Sequence, residues 1–216
     1  MQIEEFYDLF GTYNETYLIA IILTYVLAII SLFMVFRKND YSNRFISFTL
    51  AFLWSWVGVV FGIIVFSPLP LVIGGIEIPG VWYLFGGIFA IQGIILLFNG
   101  VFKDTVSYTW KSDSRHYLGA LLILYALVLY PLVGFLHGRV YPEYPIFGIG
   151  PCPITIFTIA LLLWGDTRPT REFWIIPIFW GFMGIAAILV YEVYADVVLV
   201  LAGLIGLYYF MRWPSE

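Results

Sequence analysis

Seven apolar stretches dominate the chain: Tyr17–Phe36, Ile46–Phe66, Trp82–Phe102, Tyr117–Phe135, Pro151–Trp164, Phe173–Tyr191 and Val197–Trp213. A bilayer core about 30 Å thick takes about 20 apolar residues per helix. Six of the stretches meet or approach that length, and Pro151–Trp164 falls short of it. Charged residues make up 11% of the chain and apolar ones 62%, too little charge to cover a surface facing water. The sequence therefore reads as one all-α membrane domain over residues 1–216, with seven transmembrane helices and the lipid bilayer as its solvent. Aromatic residues at 20% suit side chains that anchor at both membrane interfaces.

The basic residues orient the spans. Arg37, Lys38 and Arg44 follow the first stretch, Lys103, Lys111 and Arg115 the third, Arg168 and Arg171 the fifth, and Arg212 closes the seventh. Nine of the ten basic residues thus fall on one side, with Arg139 alone on the other. Positive charge is retained in the cytoplasm, so the expected topology is N-terminus outside and C-terminus inside, in the cell membrane. No basic cluster points to nucleic acid. The acidic segment Met1–Glu15 lacks the basic start of a secretory signal. Within it Ile3, Phe6, Tyr7 and Phe10 recur at helical spacing opposite Glu4, Glu5 and Asp8, which predicts a short amphipathic helix on the outer membrane surface.

Two segments echo each other. Trp54-Ser55-Trp56-Val57-Gly58 and Trp180-Gly181-Phe182-Met183-Gly184 share Trp-x-x-x-Gly at a similar distance after an arginine, and Ala90-Ile91-Gln92-Gly93 is matched more weakly by Leu201-Ala202-Gly203. The pattern suggests two parallel three-helix units joined by the fourth span, a 3+1+3 repeat. Chance recurrence of tryptophan and glycine accounts for it equally well. Gly58-x-x-x-Gly62 marks a face for close helix contact.

No Asp, Glu, Lys, Arg or His lies in the middle of any stretch, and Gln92 is the most polar central side chain. A retinal protein needs a lysine in its last span, and an ion pump usually needs a buried carboxylate. A bis-histidine haem needs two imidazoles at one depth, whereas His116 and His137 fall on opposite sides.

The exception to this regularity is His137–Thr158, where prolines 142, 145, 151 and 153 forbid a regular helix until after Pro153. The fifth helix is then too short for the bilayer, and non-helical chain must descend to meet it, which survives only against protein or in a wet cavity. An outer pocket is expected here, with Tyr141, Tyr144, Phe147, Pro151, Pro153 and Thr155 in its walls and Glu192 and Asp196 contributed from the last outer turn. Cys152 takes the N-cap position of this helix, where free N–H groups favour an anion and a thiolate. It reads either as a buried packing residue or as a soft-metal ligand, with His137 and Glu143 as the other donors within reach.

Several residue pairs resemble one family. Tyr13-Asn14, Leu53-Trp54-Ser55-Trp56-Val57-Gly58, Tyr130-Pro131, Tyr141-Pro142, Phe147-Gly148 and Pro151-Cys152-Pro153-Ile154-Thr155-Ile156-Phe157-Thr158 are similar to a family of uncharacterised multi-pass membrane proteins of bacteria and archaea, known only as a domain of unknown function. In that pattern threonine often replaces Ile154 and histidine replaces Arg139, which counts against a role for imidazole at that place. The resemblance implies a multi-pass fold over nearly the whole chain and no activity. Three functions stay open: handling or sensing a small solute or soft metal through the outer pocket, an accessory subunit of a larger membrane complex or self-assembly, and, least supported, an enzyme with Cys152 as nucleophile. The sequence names no cofactor.

Overall fold

A computed structural model describes residues 3–73, 75–166 and 171–212. Arg168, one of the charges used to orient the spans, lies outside the described residues. Among the described residues eight helices follow one another: α1 (Ile3–Thr16), α2 (Leu18–Phe36), α3 (Ser42–Phe66), α4 (Val81–Phe102), α5 (Ser114–Leu136), α6 (Pro151–Leu163), α7 (Glu172–Tyr191) and α8 (Tyr194–Arg212). A small antiparallel hairpin, β1 (Leu71–Ile73) and β2 (Ile76–Ile78), joins α3 to α4. Six helices, α2–α5, α7 and α8, are long and apolar enough to cross a bilayer.

The expected seventh span is α6, and it differs in kind. Its 13 residues rise only about 20 Å. Every one of them except Cys152 is buried, because α3, α5, α7 and α8 all pack on it. A helix that meets only protein has no need to match the thickness of a bilayer. α6 is the central post of the bundle, and its hydrophobicity on every side follows from that place.

The start of α6 corrects the sequence reading. Gly150 is the N-cap, Pro151 opens the helix, Cys152 is the second helical residue and Pro153 the third. The first helical N–H groups have no acceptor within the helix, so proline costs nothing there. In a dry interior it removes donors that would otherwise go unpaired. Pro151 and Pro153 thus delete two of the four orphan donors that would have favoured an anion.

The outward helices show an inverted pattern. On α2 the buried residues Ile21, Thr24, Ala28, Ser31 and Val35 alternate three and four apart, and the polar ones lie inside: Ser31 donates to Thr49 at 3.0 Å. Ile19, Ile22, Ile29 and Phe33 point outward. Small and polar side chains between helices with large apolar ones outside is the arrangement of a bundle whose solvent is apolar.

At one end of the bundle the connecting loops tie together. Lys38 donates to Ser107 at 2.6 Å, Arg44 pairs with Asp104 at 3.6 Å, and Lys111 pairs with Asp166. The loop before α5 also closes the lower end of α6: Thr109 N–H donates to the Trp164 carbonyl at 2.9 Å and Asp166 N–H to that of Ser107 at 2.7 Å. At the other end lie α1, the hairpin, the α5–α6 loop and the α7–α8 turn.

Two prolines inside long helices leave carbonyls without their usual donor, and a side chain answers each. Pro177 has no N–H for Phe173, four residues earlier, and the Gln92 amide donates to the Phe173 carbonyl at 3.2 Å. Pro131 likewise has none for Leu127, and the Tyr25 hydroxyl donates to that carbonyl at 3.3 Å. Gln92, the most polar central side chain, is therefore a backbone partner for a proline-broken helix. Gln92→Leu is expected to lower stability by roughly 1–3 kcal/mol, the usual cost of leaving a buried acceptor unpaired. In a Pro177→Ala background, where an N–H is restored, the same change is expected to cost less than about 1 kcal/mol. Thermal or denaturant unfolding of the four proteins measures the cycle, and equal costs in both backgrounds would refute the pairing.

Candidate functional site

α1 forms as its periodicity predicts, but its apolar face is turned to protein and not to lipid. Phe6, Tyr7, Phe10 and Tyr13 are all buried. Phe6 stacks on Tyr191 at 4.3 Å between ring centroids, the Tyr7 hydroxyl donates to the Tyr191 carbonyl at 3.3 Å, and the Trp56 indole donates to the Tyr13 hydroxyl at 2.7 Å. Asn14 reaches the α5–α6 loop, donating to the carbonyls of Pro142 and, at 3.1 Å, Tyr144. Arg139 clamps the other side of α1. It pairs with both Glu4 oxygens at 2.8 and 3.2 Å and lies 3.7 Å over the Tyr7 ring. That hydrogen bond holds the Glu4 carboxyl below its usual range and raises Arg139, while burial pushes the Tyr7 hydroxyl up to about 12.

Beneath this lid is a cleft of about 70 Å³, open on one side. α1 supplies Phe6 and Phe10, α3 Phe61, α4 Trp82 and Phe85, and α7 Trp180, Met183 and Ala187. Tyr130, Pro151-Cys152-Pro153 and Asp196 close its inner wall. The rings brace one another: Phe85 and Phe89 meet Trp180 edge-on at 5.3 and 4.6 Å, and Phe61 lies 5.9 Å from Trp82. Almost all of the lining is apolar.

The polar atoms on the wall are few. Asp196 is fully buried, and its Oδ1 accepts from the Tyr130 hydroxyl at 2.6 Å. The Trp82 indole N–H has no hydrogen-bond partner, and the Trp180 indole and the second Asp196 oxygen are met only by the Cys152 thiol. A thiol is a weak hydrogen-bonding group. Buried polar groups are nearly always well paired, so three weakly served residues lining one cleft mark a place shaped for something else.

Four of the residues singled out in the sequence meet here: Pro151, Cys152, Pro153 and Asp196. The other expected pocket residues lie elsewhere. Phe147 is fully buried against Tyr25 and Phe157 and pins the loop. Thr155 is buried inside α6, Tyr144 serves Asn14 through its carbonyl, and Tyr141 is exposed. His137 and Glu192 line a separate small hollow beside Tyr7 and Arg139, with His137 against Tyr194 and bonded to the Val133 carbonyl at 2.8 Å. Glu143 stands 4.0 Å from Arg139. Cys152, His137 and Glu143 are therefore not gathered, and among the described residues no three His, Cys, Asp or Glu side chains stand together as a metal would need.

Trp82, Trp180, Phe61, Phe6, Phe10 and Tyr130 carry the cleft and were not expected there. Trp180 and Tyr130 stood out in the sequence for other reasons, as part of a Trp-x-x-x-Gly echo and of Tyr130-Pro131. Many residues of the family-like pairs converge on this end. Tyr13 and Asn14 fasten α1, Gly148 at φ +92° admits Thr24 where no side chain fits, and Trp54 donates to Thr158 of α6 at 2.9 Å.

The fold and cleft define a helical bundle with membrane-length helices around a buried post and a lidded aromatic cleft. The chain belongs to DUF6064, a family of unknown function, which it matches over residues 3–214. No curated protein and no solved structure matches it.

Cys152 reports on the lid. N-Ethylmaleimide is expected to label it slowly in the native protein. Phe6→Ala together with Phe10→Ala is expected to speed labelling at least tenfold, with thermal unfolding as the fold control. Equal rates would show that α1 does not cover the cleft.

Proposed function

We propose that this protein is a multi-pass protein of the cell membrane that binds a small, mainly apolar molecule in the cleft beneath α1, as a carrier or a sensor. The N-terminus, α1 and the cleft face outward, and the basic end faces the cytoplasm. α2–α5, α7 and α8 span the bilayer, α6 counts as a seventh helix that is shielded from lipid, and residues 1–216 act as one domain.

One observation carries this reading: an aromatic cleft lined by Trp82, Trp180 and Asp196, whose buried polar atoms have no partner or only a thiol. Small-molecule sites share this form, an apolar wall with a few polar groups. A soft-metal site lacks comparable support, because Cys152 and Asp196 supply only two donors.

We further propose that the bundle contains a repeated helical hairpin, α3–α4 and α7–α8. With Trp54 set on Trp180 and Gly93 on Gly203, the close contacts correspond. Gly93 packs on Ser55 as Gly203 packs on Gly181. A Cβ at Gly58 would lie 2.7 Å from the Gly86 carbonyl oxygen, and one at Gly184 3.3 Å from that of Asp196. Asp196 thus takes the place of a glycine in the other hairpin, a difference that fits a specialised site.

Photolabelling tests the binding role. An octanol bearing a diazirine, added to the protein in lipid nanodiscs, is expected to label cleft residues such as Trp180, Met183 and Phe10. Ala187→Phe, which fills the cleft, is expected to reduce that labelling at least fivefold. Labelling confined to outward residues such as Ile19 and Leu189 in both proteins would reject the cleft as a binding site.

A further inference from the structure

Asp196 is unlike the other acidic groups whose ion pairs are described. Asp104, Asp113, Asp166, Glu4 and Glu143 each lie beside a basic side chain. Asp196, the most deeply buried of them all, pairs with none; its neighbours are the Tyr130 hydroxyl and the Cys152 thiol. Arg139 is the basic residue of this end, and it is engaged by Glu4, Glu143 and the face of Tyr7. A carboxyl group in an apolar interior stays neutral unless a positive charge meets it, and a cation beside it favours the carboxylate.

The walls around Asp196 are of the kind that receives a cation. Phe6, Phe10, Phe61, Phe85, Trp82 and Trp180 line the same cleft. Aromatic faces attract positive charge, tryptophan most strongly, and more so where water is excluded. An anion would find two indole donors but would face the Asp196 carboxylate at short range in a low dielectric. The unpaired Trp82 indole N–H can instead take a neutral oxygen on the same molecule. The Asp196 carboxyl with only a hydroxyl and a thiol beside it, the missing counter-charge and the rings converge on one ligand class.

We infer that the cleft takes a lipophilic monocation, an ammonium with apolar substituents, whose charge is met by Asp196 and whose body is held by the aromatic walls. This inference rests on the binding role proposed above. The apolar body explains why the rest of the wall offers almost nothing polar. The lid of Phe6 and Phe10 then closes over the bound molecule and raises the strength of the charge contact by keeping water out.

The test uses a matched pair of competitors against the diazirine octanol, with the full chain in nanodiscs. Hexyltrimethylammonium and its neutral isostere 2,2-dimethyloctane have the same shape and differ in charge. The cation is expected to halve cleft labelling at a concentration at least tenfold below that of the isostere. Asp196→Asn is expected to erase this preference, so that the cation and the isostere compete at similar concentrations, with thermal unfolding as the check on folding. The comparison in the native protein stands even if the variant fails to fold. Cleft labelling that both competitors suppress equally would overturn the cationic ligand and leave the binding role intact. An absence of cleft labelling by the octanol itself would overturn both.

Discussion

A peptide group in an apolar solvent has to find its partner inside the protein, and this constraint organises the whole bundle. α6 is where it acts most severely, because its 13 residues are enclosed by four other helices. Two prolines at its start remove donors that could not be paired. The loop before α5 supplies Thr109 to its last carbonyl. Elsewhere Gln92 and Tyr25 serve the carbonyls stranded by Pro177 and Pro131. Each unpaired group would cost on the order of 1–3 kcal/mol, a large part of the net stability of a folded chain. Residues that look functional by polarity alone, Gln92 above all, are accounted for in this way.

Some buried polar atoms stay unmet within the bundle, among them the Gln92 Oε1, the Thr155 hydroxyl and the His116 Nε2. Trp82, Trp180 and Asp196, unmet or met only by a thiol, differ in lining one cleft, at the depth where α6 begins and under α1. The lid is fastened by an ion pair, a ring contact, two tyrosine hydroxyl groups and Asn14, and by the buried rings of Phe6, Tyr7, Phe10 and Tyr13. The cleft thus combines a floor set by α6 with a roof packed on it through aromatic side chains.

Much of this was legible in the sequence. Apolar length and the lack of charge gave the six long helices to within a few residues. The prolines of the α5–α6 loop indicated a short helix and a recess near Cys152. Cys152 and Asp196, far apart in the chain, were each marked as facing the recess. The remainder depends on tertiary contacts that periodicity does not encode. The amphipathic face of α1 looks the same whether it rests on lipid or on Tyr191 and Trp56. The position of Cys152 as second helical residue turned on proline being free at the first and third positions. Trp82 and Trp180 gave no sign of sharing a wall, because their helices are adjacent only through the bundle. The parting of His137 and Glu143 from Cys152 was equally hidden, since a loop of that length can bring its residues together or hold them apart.

A density map of the protein in lipid nanodiscs distinguishes a ligand site beneath α1 from a packing defect. An open cleft between Trp82, Trp180 and Asp196 is expected, with compact non-protein density against the Asp196 carboxylate when hexyltrimethylammonium is present and none there without it. A cleft closed by the protein's own side chains, with the Trp82 and Trp180 N–H groups bonded to backbone or to neighbouring residues, would contradict the ligand site.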